Sequence, residues 1–227
     1  CLFVGGAVVS LANAQTLRVV RNGPPAPDIA GLVAPASGVL LAAVYGAGVY
    51  RSTNAGSLWK PAMAGLASTN VNDLGRDQAA TPAIYASTDG QGIFKSTDNG
   101  TSWAAVNTGL PCRFVNATRA HAVTSARLYA ALACAAPNGG VARSDDGGAS
   151  WSLVSGGTSG MPASTAIQAI AIDPVNADVV YASGANTGLW KSANGGTNWS
   201  PINAGLVSTL PFLQPFEVAV DPGNGAR

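Results

Sequence analysis

Residues 92–103 read GIFKSTDNGTSW, and nearly the same phrase is written three more times in the chain. Aligned on the serine, the copies are YRSTNAGSLW (Tyr50–Trp59), FKSTDNGTSW (Phe94–Trp103), ARSDDGGASW (Ala142–Trp151) and WKSANGGTNW (Trp190–Trp199). Ser52, Ser96, Ser144 and Ser192 lie 44, 48 and 48 residues apart. A nearly fixed period of this size marks a repeat architecture, which decides the fold before any single residue does.

Each copy follows a short apolar run, as in AIYASTDGQGIF, and precedes a Gly-Leu or Gly-Met break. Further upstream lies an alternating run, clearest in AIQAIAIDPVNADVVYAS (166–183). The fourth repeat therefore predicts short strands over Ile167–Ile172, Val179–Ser183, Gly188–Ser192 and Asn198–Ile202. Asp-Pro, Asn-Gly and Gly-Gly turns separate them. Short β-branched and aromatic runs without helical period argue an all-β chain. Four antiparallel strands per unit of roughly 40–50 residues is the blade of a β-propeller. The blades fall at 28–66, 67–110, 111–161 and 162–206, and 207–227 opens a fifth with PFEVAVDPGNGAR. About four blades and one further strand read as part of a ring of roughly six to eight blades.

Composition narrows the function. Charged residues are 10%, the net charge is +1, and no basic stripe is present, which argues against a nucleic-acid partner. Residues 1–14, CLFVGGAVVSLANA, resemble an apolar signal-peptide core ending in a small-x-small site, followed by a linker over 15–27. The chain is thus expected to be secreted, periplasmic or at the cell surface, with no membrane span in its mature part. An oxidising compartment permits disulfides. Cys112 and Cys134 flank one hairpin and are expected to bridge. No metal-ligand spacing or cofactor motif is present.

In Ser-x-Asp-x-Gly-x-x-Trp the acidic side chain can accept from backbone N–H groups of its own turn, glycine supplies positive φ, and tryptophan covers the blade edge. The key position is Asn54, Asp98, Asp146 and Asn194. Asparagine keeps such a turn but cannot act as a general acid and weakens a calcium site. Ser52, Asn54, Gly56 and Trp59, Ser96, Asp98, Gly100 and Trp103, Ser144, Asp146, Gly148 and Trp151, and Ser192, Asn194, Gly196 and Trp199 are therefore structural candidates.

The phrase resembles the Asp-box, or bacterial neuraminidase repeat, of sialidases, xyloglucan-cleaving hydrolases, sortilin-type receptors and photosystem assembly factors. The resemblance covers 28–227 and implies a propeller with the box at the blade periphery. The sialidase Arg-Ile-Pro motif is absent from TLRVVRNGPPAPDIAGL (16–32), and Asp28 lacks the Asp-x-Gly-Gly context of the xyloglucan enzymes. The leading expectation is a non-catalytic scaffold meeting a protein or glycan at its rim. The alternative is a glycoside hydrolase, for which Asp73 and Glu217, at one repeat position of the inner strand, are the candidate acids. His121 and the basic residues before each box serine (Arg51, Lys95, Arg143, Lys191) are expected to be solvated.

Overall fold

The computed structural model describes residues 3–4, 7–8, 28–122, 126–162, 165–206 and 217–221. The leader and linker expected over 1–14 and 15–27 lie outside these, apart from β1 (Phe3–Val4) and β2 (Ala7–Val8), which pair antiparallel. Sixteen further strands form four sheets of four. They are β3 (Ile29–Ala36), β4 (Val39–Val44), β5 (Gly48–Ser52) and β6 (Lys60–Pro61); then β7 (Val71–Arg76), β8 (Ile84–Thr88), β9 (Gly92–Ser96) and β10 (Ala104–Ala105). The third sheet is β11 (Val115–Ala120), β12 (Leu128–Leu132), β13 (Gly140–Ser144) and β14 (Ser152–Leu153). The fourth is β15 (Ile167–Ile172), β16 (Val180–Gly184), β17 (Gly188–Ser192) and β18 (Ser200–Pro201).

Every sheet is a meander in sequence order, and every inner pair carries a register shift after its first residue. The shift places Gly31, Asp73, Ala117 and Ala169 opposite Ala43, Ser87, Ala131 and Ser183. The second strands lose the in–out alternation because both faces are covered. All five residues of β8 and of β12 are buried. Buried on two faces, such a strand loses the alternation of a half-solvated one.

The cores lie between sheets. Leu41 and Val49 of the first blade meet Leu74, Ile84 and Trp103 of the second. Tyr85 and Ile93 meet Leu128, Leu132 and Trp151, and Tyr129 and Val141 meet Ile170, Val180 and Trp199. Each fully buried Leu or Ile contributes about 1.5–3 kcal/mol, so blade-to-blade contact dominates the fold's stability.

The outer strand differs from the sequence expectation. It is Ser200–Pro201 rather than Asn198–Ile202. Trp199 N–H donates to the Ser159 carbonyl of the preceding blade at 2.6 Å, and Pro201 has no N–H to give. Cys112 and Cys134 are joined by a disulfide, with Cα atoms 6.1 Å apart, tying the entry of β11 to the exit of β12.

Candidate functional site

The repeated turn has one hydrogen-bond pattern in all four copies. Each serine hydroxyl donates to the side-chain oxygen two residues on: Ser52 to Asn54 at 2.9 Å, Ser96 to Asp98 at 2.8 Å, Ser144 to Asp146 at 2.7 Å and Ser192 to Asn194 at 3.1 Å. The same hydroxyls accept from Gly56, Gly100, Gly148 and Gly196, each at 2.9 Å. The Oδ1 atoms of Asn54, Asp98, Asp146 and Asn194 then accept from the backbone N–H of Leu58, Ser102, Ser150 and Asn198 at 2.8–2.9 Å. Gly100 has φ of 77° and a Cβ there would meet the Leu41 side chain at 2.5 Å, so glycine serves both the turn and the neighbouring blade. Burial pushes the Asp98 carboxyl up, but hydrogen bonds from Ser102, Ser96 and Thr101 outweigh it and hold the group at about 2. Hydrogen bonds from Ser150 and Ser144 likewise hold Asp146 at about 2. These are ionised acceptors spent on their own turns.

The tryptophans and basic residues go further than the sequence reading expected. Indole Nε1–H of Trp103, Trp151 and Trp199 donates to the Ala62, Val106 and Val154 carbonyls of the preceding blade, each at 2.9 Å. The tryptophan backbone N–H groups reach Ala64, Thr108 and Ser159 in that same blade. Three of the four basic residues are tied to the following blade rather than solvated, and Lys191 lies over the Tyr181 ring of its own blade. Arg51 Nε donates to the Asn99 carbonyl at 2.8 Å, Lys95 Nζ to Gly147 at 2.9 Å and Arg143 Nη1 to Gly195 at 2.8 Å. Asn99, Gly147 and Gly195 have φ of 57°, 70° and 67°. This left-handed residue in the second, third and fourth boxes lends its carbonyl to the cation one blade back. Each junction is thereby stitched in both directions.

His121 also departs from expectation. It aligns with Asp77 and Asp173, and all three are buried, His121 at 2% exposure. Burial lowers its pKa and Arg127 lowers it further, against the raising influence of Asp173 and Asp178.

The two candidate acids, Asp73 and Glu217, are both drawn into the surroundings of one arginine. Asp73 Oδ2 accepts from Nη1 of Arg119, across the junction between the second and third blades. Arg119 Nη1 also donates to the Thr118 carbonyl at 3.2 Å. The Asp73 charge is the main cause that raises the Arg119 pKa, burial opposes it, and the Glu217 charge adds a smaller raising effect. Both carboxylates therefore act on one guanidinium. Arg119 occupies the repeat position of Gly75 and Ala171, facing Tyr129 as those face Tyr85 and Tyr181. It escaped the sequence reading because the inner strands were compared at the position of Asp73 and Ala117, two residues before that of Arg119. The signal was one arginine where the neighbouring repeats carry glycine and alanine.

Arg119 and Glu217 face a cleft of about 320 Å³, walled by Ala120, Ile170, Ile172 and Val218. Ala122 and Pro174 place it where the inner strands run into their connecting loops. Among the described residues no three His, Cys, Asp or Glu side chains gather to hold a metal.

No protein-family model matches this chain, and no curated protein matches it in sequence. Solved structures do. An ancestral GH74 enzyme superposes with a TM-score of 0.60 and 27% identity, over 77% of this chain and 24% of its own. The GH74 xyloglucanase from Xanthomonas campestris gives 0.61 at 18% identity, over 83% of this chain and 32% of that one. The extracellular domain of a two-component system from B. thetaiotaomicron gives 0.57 at 14% identity, over 79% and 23%. The fold is a β-propeller fragment. The chain spans about a quarter to a third of the GH74 proteins it matches. Among the described residues of this propeller no helix is long and apolar enough to cross a membrane.

Proposed function

We propose that this chain belongs to an exported propeller of Asp-box type that acts as a non-catalytic recognition scaffold, secreted, periplasmic or at the cell surface, meeting a protein or glycan at its rim. The carrying observation is the use made of its carboxylates. Asp98 and Asp146 are consumed by their own turns, and Asp73 is held by Arg119. A carboxylate committed in this way anchors structure and is not itself poised as a proton donor for a leaving group. Rigid blades with connecting loops at one end suit binding, since loops carried by a stiff scaffold supply variable contacts.

The alternative, a glycoside hydrolase, draws support from the 27% identity to a GH74 enzyme. An assay separates the two. The purified chain is incubated with a sialoside panel and with xyloglucan, and product release is measured. The scaffold reading expects no hydrolysis by a protein whose far-ultraviolet spectrum reports intact β structure. Turnover that disappears in Asp73→Asn or Glu217→Gln would replace it with the hydrolase.

A further inference from the structure

We infer that the cleft between Arg119 and Glu217 is a binding site for a lysine side chain presented by a peptide segment of a partner protein. The inference deepens the scaffold reading and rests on it, assigning a ligand chemistry to one place on the propeller.

Charge points to a cation. Asp73, Arg119 and Glu217 bring two carboxylates and one guanidinium to the same place, leaving one negative charge in excess. Arg119 is pinned by Asp73, so its charge is already answered from the second blade, whereas Glu217 is exposed at the cleft. An anionic ligand would meet Glu217 and an already neutralised arginine. An ammonium group would meet Glu217 directly, beside an arginine whose charge Asp73 already answers. A charge-assisted hydrogen bond of this kind is the strong contact in such a site.

Shape and lining then select lysine. The walls are aliphatic: alanine at 120, 122, 171 and 219, with Ile170, Ile172, Pro174 and Val218. A four-carbon stem lies well along such a surface while its charged end stays at the polar mouth. Among the ten lining residues none is aromatic, so a sugar ring would find no flat face on which to stack. The cleft, at about 320 Å³, sits at the small end of the roughly 300–1,000 Å³ usual for ligand pockets. That is room for one long side chain and a little backbone. The guanidinium plane carries further N–H groups beyond Nη1, suited to a backbone carbonyl of the same segment. A metal ion is disfavoured because Glu217 is the one carboxylate among the ten lining residues and shares the cleft with a guanidinium.

The test is calorimetric titration of the full chain with an N-acetylated, C-amidated hexapeptide, Ala-Ala-Lys-Val-Ala-Ala. The same peptide with acetylated lysine, with glutamate for lysine, and with alanine for lysine but a free amino terminus serve as comparisons. The lysine peptide binds, and the other three bind at least about tenfold more weakly, the loss matching one charge-assisted hydrogen bond. Glu217→Gln, a change at an exposed side chain, lowers lysine-peptide affinity by a similar factor while circular dichroism is unchanged. Equal binding of the acetyl-lysine peptide, equal binding of the free-terminus peptide, or an unaffected Glu217→Gln variant overturns the site. Displacement by a xyloglucan oligosaccharide overturns the ligand class. The scaffold reading fails separately, through hydrolysis in the glycan assay, and survives if peptides bind elsewhere on the rim.

Discussion

Replacing Trp103 by alanine isolates what a blade-to-blade stitch contributes. Trp103 is 5% exposed, fills the core between the first and second blades, and donates through its indole to Ala62 and through its backbone to Ala64. Truncating a buried tryptophan costs about 3–5 kcal/mol, from lost transfer free energy and the cavity left behind. The buried Ala62 carbonyl also loses its donor, which adds about 1 kcal/mol or more. Against a total of about 5–15 kcal/mol for a domain, Trp103→Ala removes much of the margin. Trp103→Phe keeps most of the bulk and loses the indole hydrogen bond, so it costs less than the alanine change. Trp59 is the internal control. It holds the same place in the first blade, is half-buried, and has no preceding four-stranded blade among the described residues. Trp59→Ala therefore costs about 1–2 kcal/mol, at the scale of an ordinary mutation. Urea unfolding of the three variants, with a common slope, measures these differences. If Trp103→Ala and Trp59→Ala lose the same free energy, the tryptophan serves its own turn and the cross-blade account is wrong.

Other expectations follow from the same contacts. Asp98→Asn keeps the Oδ1 acceptor, as Asn54 and Asn194 do, but loses the charge that the Ser102 hydroxyl meets at Oδ2, so it should cost about 1 kcal/mol, whereas Asp98→Ala, which also leaves the turn's backbone donors unmet, should cost about 2 kcal/mol; a larger loss in the asparagine variant than in the alanine one contradicts this. Asp98 and Asp146, lowered from an ordinary value of 3.8 to about 2, stabilise the fold above that ordinary value and lose this contribution as pH falls through about 2. His121 is lowered from 6.5 by burial, so the unfolded chain binds the proton first and stability falls as pH drops below 6.5; His121→Gln should flatten the slope between pH 7 and 5, and an unchanged slope would place the titration elsewhere. Reduction of the Cys112–Cys134 bridge, with a sequence separation of 22, should lower stability by about 3 kcal/mol, and thiol labelling of the unreduced protein should find neither cysteine.

The sequence carried whatever depends on local order. β15 was expected at Ile167–Ile172 and forms there, because alternation, bulge and Asp-Pro turn all lie within one short stretch. The turn hydrogen bonds were readable for the same reason: Ser96, Asp98 and Gly100 sit within five residues, and the asparagines at 54 and 194 exclude an acid's chemistry. Contacts between blades were not legible. Lys95 and Gly147 are 52 residues apart, Trp103 and Ala62 are 41 apart, and nothing local says that a cation will find a left-handed carbonyl one blade on. His121 was misplaced by treating its position as a solvated turn, when packing between inner-strand ends buries Asp77 and Asp173 as well. Arg119 was missed because its partner, Asp73, stands on another blade.

The central claim is that the second, third and fourth boxes each stitch their blade to the one before it, and amide hydrogen exchange reads that contact residue by residue. Trp103, Trp151 and Trp199 donate their backbone N–H to Ala64, Thr108 and Ser159, while among the described residues no carbonyl accepts from Trp59. The account predicts strong protection at the first three amides and fast exchange at Trp59. Equal exchange at all four would contradict it.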